Sequence, residues 1–92
     1  MKEDYEFEWD EAKAMSNAHK HGVSFEEAMA IWDDPMFAEV HLQSDPEDRW
    51  AVIGQIAKDM FLTAIITYRY DRVRIISARK STKKETDVHG KN

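Results

Sequence analysis

Thr67-Tyr68-Arg69-Tyr70-Asp71-Arg72-Val73-Arg74-Ile75-Ile76-Ser77-Ala78-Arg79-Lys80 interleaves β-branched and other apolar residues with guanidinium groups. Such alternation lets a strand bury one face while the other offers cations to phosphate. Read strictly, period two puts Arg74, Ile76 and Ala78 on one face and Val73, Ile75, Ser77 and Arg79 on the other. Arg74 and Arg79 then share a face only if Arg79 lies past the strand end, where the backbone turns toward the last helix.

Charge is divided along the chain in the same sense. Residues 1–48 hold 3 Lys/Arg against 14 Asp/Glu, and residues 49–92 hold 10 against 4. The formal net charge of −5 therefore hides a basic second half, and a basic patch is the electrostatic footprint of a nucleic-acid binder. Ninety-two residues bound the chain to one domain with one modest core, and the absence of cysteine excludes disulfides, thiol nucleophiles and thiolate metal sites. A reducing cytoplasm is the simplest home for such a chain. No window is apolar enough to span a membrane, and only residues 1–4 and 87–92 read as loose ends.

Around the basic stretch, the expected order is β-α-α-β-β-β-β-α. Tyr5, Phe7 and Trp9 alternate with Glu6 and Glu8 as a short strand. Asp10 caps a helix over Glu11–His21, with Ala12, Met15 and His19 on one side, and Gly22 stops it. Ser24-Phe25-Glu26-Glu27 is a capping box, followed by a stripe of Phe25, Ala28, Met29 and Trp32 on a second helix that Asp33-Asp34-Pro35 ends. Strands are expected over Phe37–Gln43, Arg49–Ala57, Met60–Tyr68 and Val73–Ala78, with a turn at Lys58-Asp59. Thr82-Lys83-Lys84-Glu85 is a second capping box, opening a short closing helix. These elements predict an α+β domain spanning residues 1–92, its sheet mainly antiparallel, with the N-terminal helix pair and the short C-terminal helix packed on one face.

Phe7-Glu8-Trp9-Asp10, Lys13, Asn17, Lys20-His21-Gly22-Val23-Ser24-Phe25-Glu26-Glu27-Ala28, Asp33-Asp34-Pro35, Glu47 with Arg49, Ile53-Gly54, and Arg74-Ile75-Ile76-Ser77-Ala78-Arg79 followed by Glu85 together resemble one family, the BrnT toxins. The resemblance implies a RelE-like fold and a bacterial type II toxin that cleaves RNA without a metal or other cofactor. It implies neutralisation by a BrnA-like ribbon-helix-helix antitoxin in a 2:2 heterotetramer, with DNA contacted only through the antitoxin. The chain departs from the family pattern at Tyr70, where glycine is frequent. Tyrosine there argues against a turn that needs positive φ.

RNA cleavage of this kind needs a base for the 2′-hydroxyl proton, cations to offset charge on the phosphorane-like transition state, and an acid for the leaving oxygen. The resemblance points to Arg49, Arg74 and Arg79, with Tyr68, as catalytic candidates, and Arg69, Lys80, Lys20 and Trp50 are the candidate RNA contacts. Each arginine has a plainer reading as exposed charge or as one half of a surface ion pair. Glu47 either orients Arg49 or merely pairs with it. His21 is the acid–base candidate, beside Lys20, because an imidazole exchanges its proton near neutrality; at the last turn of a helix it could instead bond terminal carbonyls. Trp50 and Tyr70 neighbour arginine and are candidates for base stacking, although cross-strand packing accounts for them as cheaply. His19 and His21 point apart on a helix, and Asp33-Asp34 fits a cap and turn, so no metal site is expected. The rival class is a non-catalytic module that binds RNA or antitoxin, an inactive toxin homologue acting as a co-repressor.

Overall fold

The computed structural model describes residues 5–89. Five strands, β1 (Glu6–Glu8), β2 (Ala38–Gln43), β3 (Arg49–Ala57), β4 (Met60–Arg69) and β5 (Arg72–Lys80), form one sheet in the order β1-β5-β4-β3-β2. The run from β2 to β5 is an antiparallel meander, and β1 alone pairs parallel, beside β5. Helices α1 (Glu11–His21) and α2 (Phe25–Ala28) follow β1, and α2 tightens into a 3₁₀ turn over Met29–Asp33. Helix α3 (Lys83–Val88) closes the fold.

Capping sets the helix ends. Asp10 accepts from the backbone N–H groups of Ala12 and Lys13, and Gly22 ends α1 at φ 70°, a left-handed conformation cheap only for glycine. Both capping boxes form, Ser24 with Glu27 and Thr82 with Glu85. The side of α1 that carries Met15 points outward, Met15 being 72% exposed, whereas Ala14 packs on the core and Asn17 is buried. In the second helix the 3₁₀ turn changes the period from 3.6 to three. Phe25, Ala28 and Ile31 are all fully buried at that spacing, and Met29 swings outward.

The main core lies between one face of the sheet and α1, α2 and the 3₁₀ turn. It joins Phe25, Ala28, Ile31 and Trp32 to Val52, Leu62, Ala64, Ile66, Val73, Ile75 and Ala78. β1 is anchored through its aromatics, with Phe7 edge-on to Trp32 at 5.0 Å and Trp9 to Phe25 at 5.8 Å. The other face carries Ile53, Thr63 and Thr67, which alternate with the core residues. There Glu85 of α3 bonds Thr63 and Arg79. The helices are therefore split between the two faces, contrary to the expectation of one helical face, because Thr63 and Arg79 point away from Leu62 and Ala78. Nor are residues 87–89 loose: α3 continues to Val88, and the His89 ring lies 2.6 Å from the Asp34 carboxylate. The remainder of the expected loose ends, residues 1–4 and 90–92, lies outside the described residues.

Two backbone features decide what the sheet presents. Ile66 pairs Ile75 and Ile65 pairs Ser77, so Ile76 is an extra residue, a β-bulge. The bulge shifts the alternation by one: Val73, Ile75 and Ala78 all point into the core, while Arg74 and Arg79 fall on the same outer face within a single strand. Strict period two, which separated these arginines, is corrected by this one residue. Tyr70 is the second feature. It takes φ 58° in a two-residue loop between the paired Arg69 and Arg72, so the positive-φ turn that tyrosine argued against does form. For a residue with a Cβ that conformation costs about 1–2 kcal/mol.

Asn17 holds the bulged strand to α1. Its amide donates to the carbonyls of Val23 (3.0 Å) and Ala78 (2.8 Å) and accepts from the Ala78 N–H (3.1 Å). β1 ends at Glu8 opposite Arg74, and a buried side chain supplies the backbone partners that a longer β1 would have given. Replacing Asn17 with Ala leaves these groups buried without partners, and each such loss costs roughly 1–3 kcal/mol. Asn17→Ala is expected to lower urea stability by about 3 kcal/mol with protection from hydrogen exchange lost first at Ala78. Unchanged stability would show that the clamp carries little.

Candidate functional site

The outer face of the sheet collects most of the arginines picked out from sequence. Arg49 on β3, Arg69 on β4 and Arg72 and Arg74 on β5 stand near the hairpin end, and each is engaged by a carboxylate. Glu47 lies 3.3 Å from Arg49 and 3.7 Å from Arg69. Glu8 lies 3.0 Å from Arg74 and 3.6 Å from Arg72, and Glu6 is 3.4 Å from Arg72. Register explains the second group: parallel pairing sets Glu6 opposite Arg72 and Glu8 opposite Arg74, while Phe7 meets Val73 on the core side. The hydrogen bond from Arg74 holds the Glu8 carboxyl below its ordinary pKa, so this pairing persists at neutral pH.

Arg79 is placed differently. Its ladder partner Thr63 lies four residues from Thr67, the partner of Arg74, which separates the two arginines by about 13 Å. Arg79 forms a two-pronged pair with Glu85, both bonds 2.7 Å, and Glu85 also accepts from Thr63 and from the Thr82 N–H. These bonds, with Arg79 foremost, pull the Glu85 pKa down to about 2 against the opposing effect of burial. Arg79 is thereby committed to docking α3.

Tyr68 and Trp50 lie on the helix side of the sheet, away from the arginines, because Tyr68 pairs Val73 and Trp50 pairs Ile66. Trp50 stacks edge-on with His41 at 4.6 Å and sits 6.4 Å from Tyr68, the cross-strand packing that the plainer reading expects. The Tyr68 hydroxyl donates to Glu39, and burial followed by that carboxylate pushes its pKa up. A phenol held in its protonated form is a poor general base. Lys80 ends β5, exposed beside Asp59, Met60 and Phe61.

His21 and Lys20 belong to another arrangement. Lys13, Asn17, Lys20 and His21 recur at i, i+4, i+7 and i+8 on α1, one stripe of the helix, which faces the outer edge of β5 just where β1 has ended. With Ser16 they line an open groove floored by the bulge residues Ile76 and Ser77. No carboxylate lines it, and the ammonium groups of Lys13 and Lys20 have no ion-pair partner among the described residues. The His21 ring makes no hydrogen bond to the last carbonyls of α1, whose end is closed by Gly22 instead. Sequence reasoning placed Lys13 among the family-like residues but gave it no role at a site. The i, i+4, i+7 spacing of Lys13, Asn17 and Lys20 was the available signal, visible once the polar side of α1 is taken as the side that faces the sheet.

Among the described residues no three His, Asp or Glu side chains converge as metal ligands, and no helix is long and apolar enough to cross a membrane.

A five-stranded, mainly antiparallel sheet with helices on both faces and a cationic groove at a bulged strand defines a small α+β protein. Residues 9–85 match the sequence profile described as the ribonuclease toxin, BrnT, of type II toxin-antitoxin systems, and the chain belongs to that family. The fold is shared with the crystal structure of the Brucella abortus ribonuclease toxin BrnT, at a TM-score of 0.70 and 20% identity over 87% of this chain and 100% of that one. No curated protein matches the chain.

The network around Glu85 makes a pH prediction. A carboxyl whose folded pKa is depressed contributes stability that is present above its unfolded pKa of 4.5 and is lost as pH falls toward about 2. A full shift of this size is worth roughly 3 kcal/mol, which solvent at the pair reduces to about 1–2 kcal/mol. Urea titrations at pH 6 and pH 3 should show a larger loss for the wild type than for Glu85→Gln. Equal losses would contradict the assignment.

Proposed function

We propose that residues 1–92 form one RelE-like toxin domain that acts in the cytoplasm as a metal-independent endoribonuclease. In this reading a BrnA-like ribbon-helix-helix antitoxin neutralises it in a 2:2 complex and alone contacts DNA. The observation that supports the catalytic reading is the groove at the bulge, lined by Lys13, Lys20 and His21 with no opposing carboxylate among the described residues. Uncommitted cations are the ones able to take a phosphate, since an arginine already paired with Glu47, Glu8 or Glu85 must first exchange one anion for another.

The chemistry proceeds by attack of a ribose 2′-oxygen on the adjacent phosphorus, displacing the 5′-oxygen of the next nucleotide. The 2′-hydroxyl proton leaves to a base, the 5′-oxygen gains a proton, and the product ends are a 2′,3′-cyclic phosphate and a 5′-hydroxyl. His21 is the proton-exchanging group of the groove, and Lys13 and Lys20 offset the additional charge on the phosphorane. Arg74, on the same face as Ser77 and next along the strand, extends the track for the RNA backbone with Arg72 beyond it. Arg79 acts as a positioning residue, keeping α3 in place through Glu85.

Labelled RNA incubated with the protein in excess EDTA is expected to yield cyclic phosphate ends. His21→Gln should cut the rate by about 100-fold or more, with the fold intact. Lys20→Ala should lower the rate and flatten the salt dependence of RNA binding. Arg79→Ala should lose activity only in step with stability. Retention of full activity by His21→Gln would remove the imidazole from the mechanism, and RNA binding without cleavage by the wild type would favour the non-catalytic module.

A further inference from the structure

We propose that Tyr70 is a base-stacking residue, its ring taking one nucleobase of a single-stranded RNA at the hairpin tip while the backbone of that strand runs along β5 to the groove. The inference rests on the RNA reading above and adds to it a second subsite, about 15 Å from the bulge measured along the strand ladder.

Nothing in the fold gains from a tyrosine at this place. Its side chain is fully exposed, at 103% of the reference accessibility, and its ring meets no other ring among the described residues. Tyr70 is also the one non-glycine residue with positive φ among the described residues, a conformation that asparagine or glycine adopts more cheaply. A large apolar ring in water on a strained backbone breaks two local rules at once, and such conflicts gather at functional sites.

The surroundings select the partner. Arg69 and Arg72 are cross-strand neighbours directly below the loop, each with about half of its side chain accessible. Each is drawn to carboxylates on the outer face, and a guanidinium carries five N–H donors, so donors remain for a phosphate backbone passing the tip. An exposed aromatic flanked by such cations is the arrangement by which single strands are held without regard to sequence: stacking on the ring, charge along the backbone.

The test measures binding of a cleavage-resistant 2′-O-methyl RNA of about 12 nucleotides by fluorescence anisotropy, beside one of about 3 nucleotides that fills only the groove. Tyr70→Asn keeps a residue tolerant of positive φ and removes the ring, and Tyr70→Phe keeps the ring. Tyr70→Asn should bind the longer RNA roughly 5- to 100-fold more weakly with an unchanged salt slope and bind the shorter one like the wild type, and Tyr70→Phe should bind both within about twofold of it. A Tyr70→Asn protein that binds the longer RNA as tightly as the wild type, while Lys20→Ala weakens it, would overturn the stacking site and leave the RNA groove standing. That result would leave a protein partner to account for the exposed ring. If neither substitution weakens binding, or the wild type binds neither RNA, the RNA reading falls and the stacking site falls with it.

Discussion

The clamp between Asn17 and Ala78 is the interaction on which the functional face depends. One buried amide side chain satisfies the N–H and C=O of Ala78 and the C=O of Val23, fixing α1 against a strand edge that β1 is too short to cover. The bulge at Ile76 lies two residues before that contact. With it, Ala78 faces the core and Arg79 faces Glu85; without it, alternation would set Ser77 in the space that Ala78 fills and turn Arg79 to the core side, away from Glu85. A bulge leaves the ladder locally unpaired and bends the strand, which is why such features sit so often beside active sites. Here it opens the floor of a groove whose walls are the lysines and histidine of the helix that the clamp holds in place.

Charge in this molecule is largely answered by charge. Glu6 and Glu8 meet Arg72 and Arg74 through the register of a three-residue parallel strand, Glu47 bridges Arg49 and Arg69, and Glu85 holds Arg79. The basic second half therefore does not present bare arginines as a patch. It presents guanidinium groups oriented by carboxylates, most of them from the acidic first half, while Lys13 and Lys20 of α1 have no ion-pair partner among the described residues. The proposed function uses this division: the sheet arginines would line and stiffen a track for RNA, and the groove would supply the uncommitted charge.

Much of the fold was legible because its signals are local. Asp10, Ser24, Thr82 and Gly22 announce the helix ends through their own hydrogen bonds and backbone preference, and the boundaries at Arg49–Ala57 follow from alternation alone. The misreadings arise where one residue changes a period. Ile76 resets the strand alternation, and the 3₁₀ turn after Ala28 exchanges Met29 for Ile31 in the core; neither leaves a mark in composition. The site was half visible. His21 and Lys20 were picked out by residue type, but Lys13, though quoted for the family resemblance, was given no role, because a helix that turns a polar stripe toward a strand edge looks from sequence like a solvated face. Tyr68 and Trp50 were drawn in by proximity in sequence to arginine, and the sheet sends neighbouring residues to opposite faces.

The most direct test of the central claim, that the bulge and the lysines beside it form the phosphate site, is a backbone amide NMR titration of the ¹⁵N-labelled protein with inorganic phosphate. The account predicts saturable shifts at Lys13, Lys20, His21, Ile76 and Ser77, with the paired arginines Arg49 and Arg79 little changed. Shifts centred on Arg49 and Arg69, or on the opposite face around His41, Trp50 and Tyr68, would contradict it.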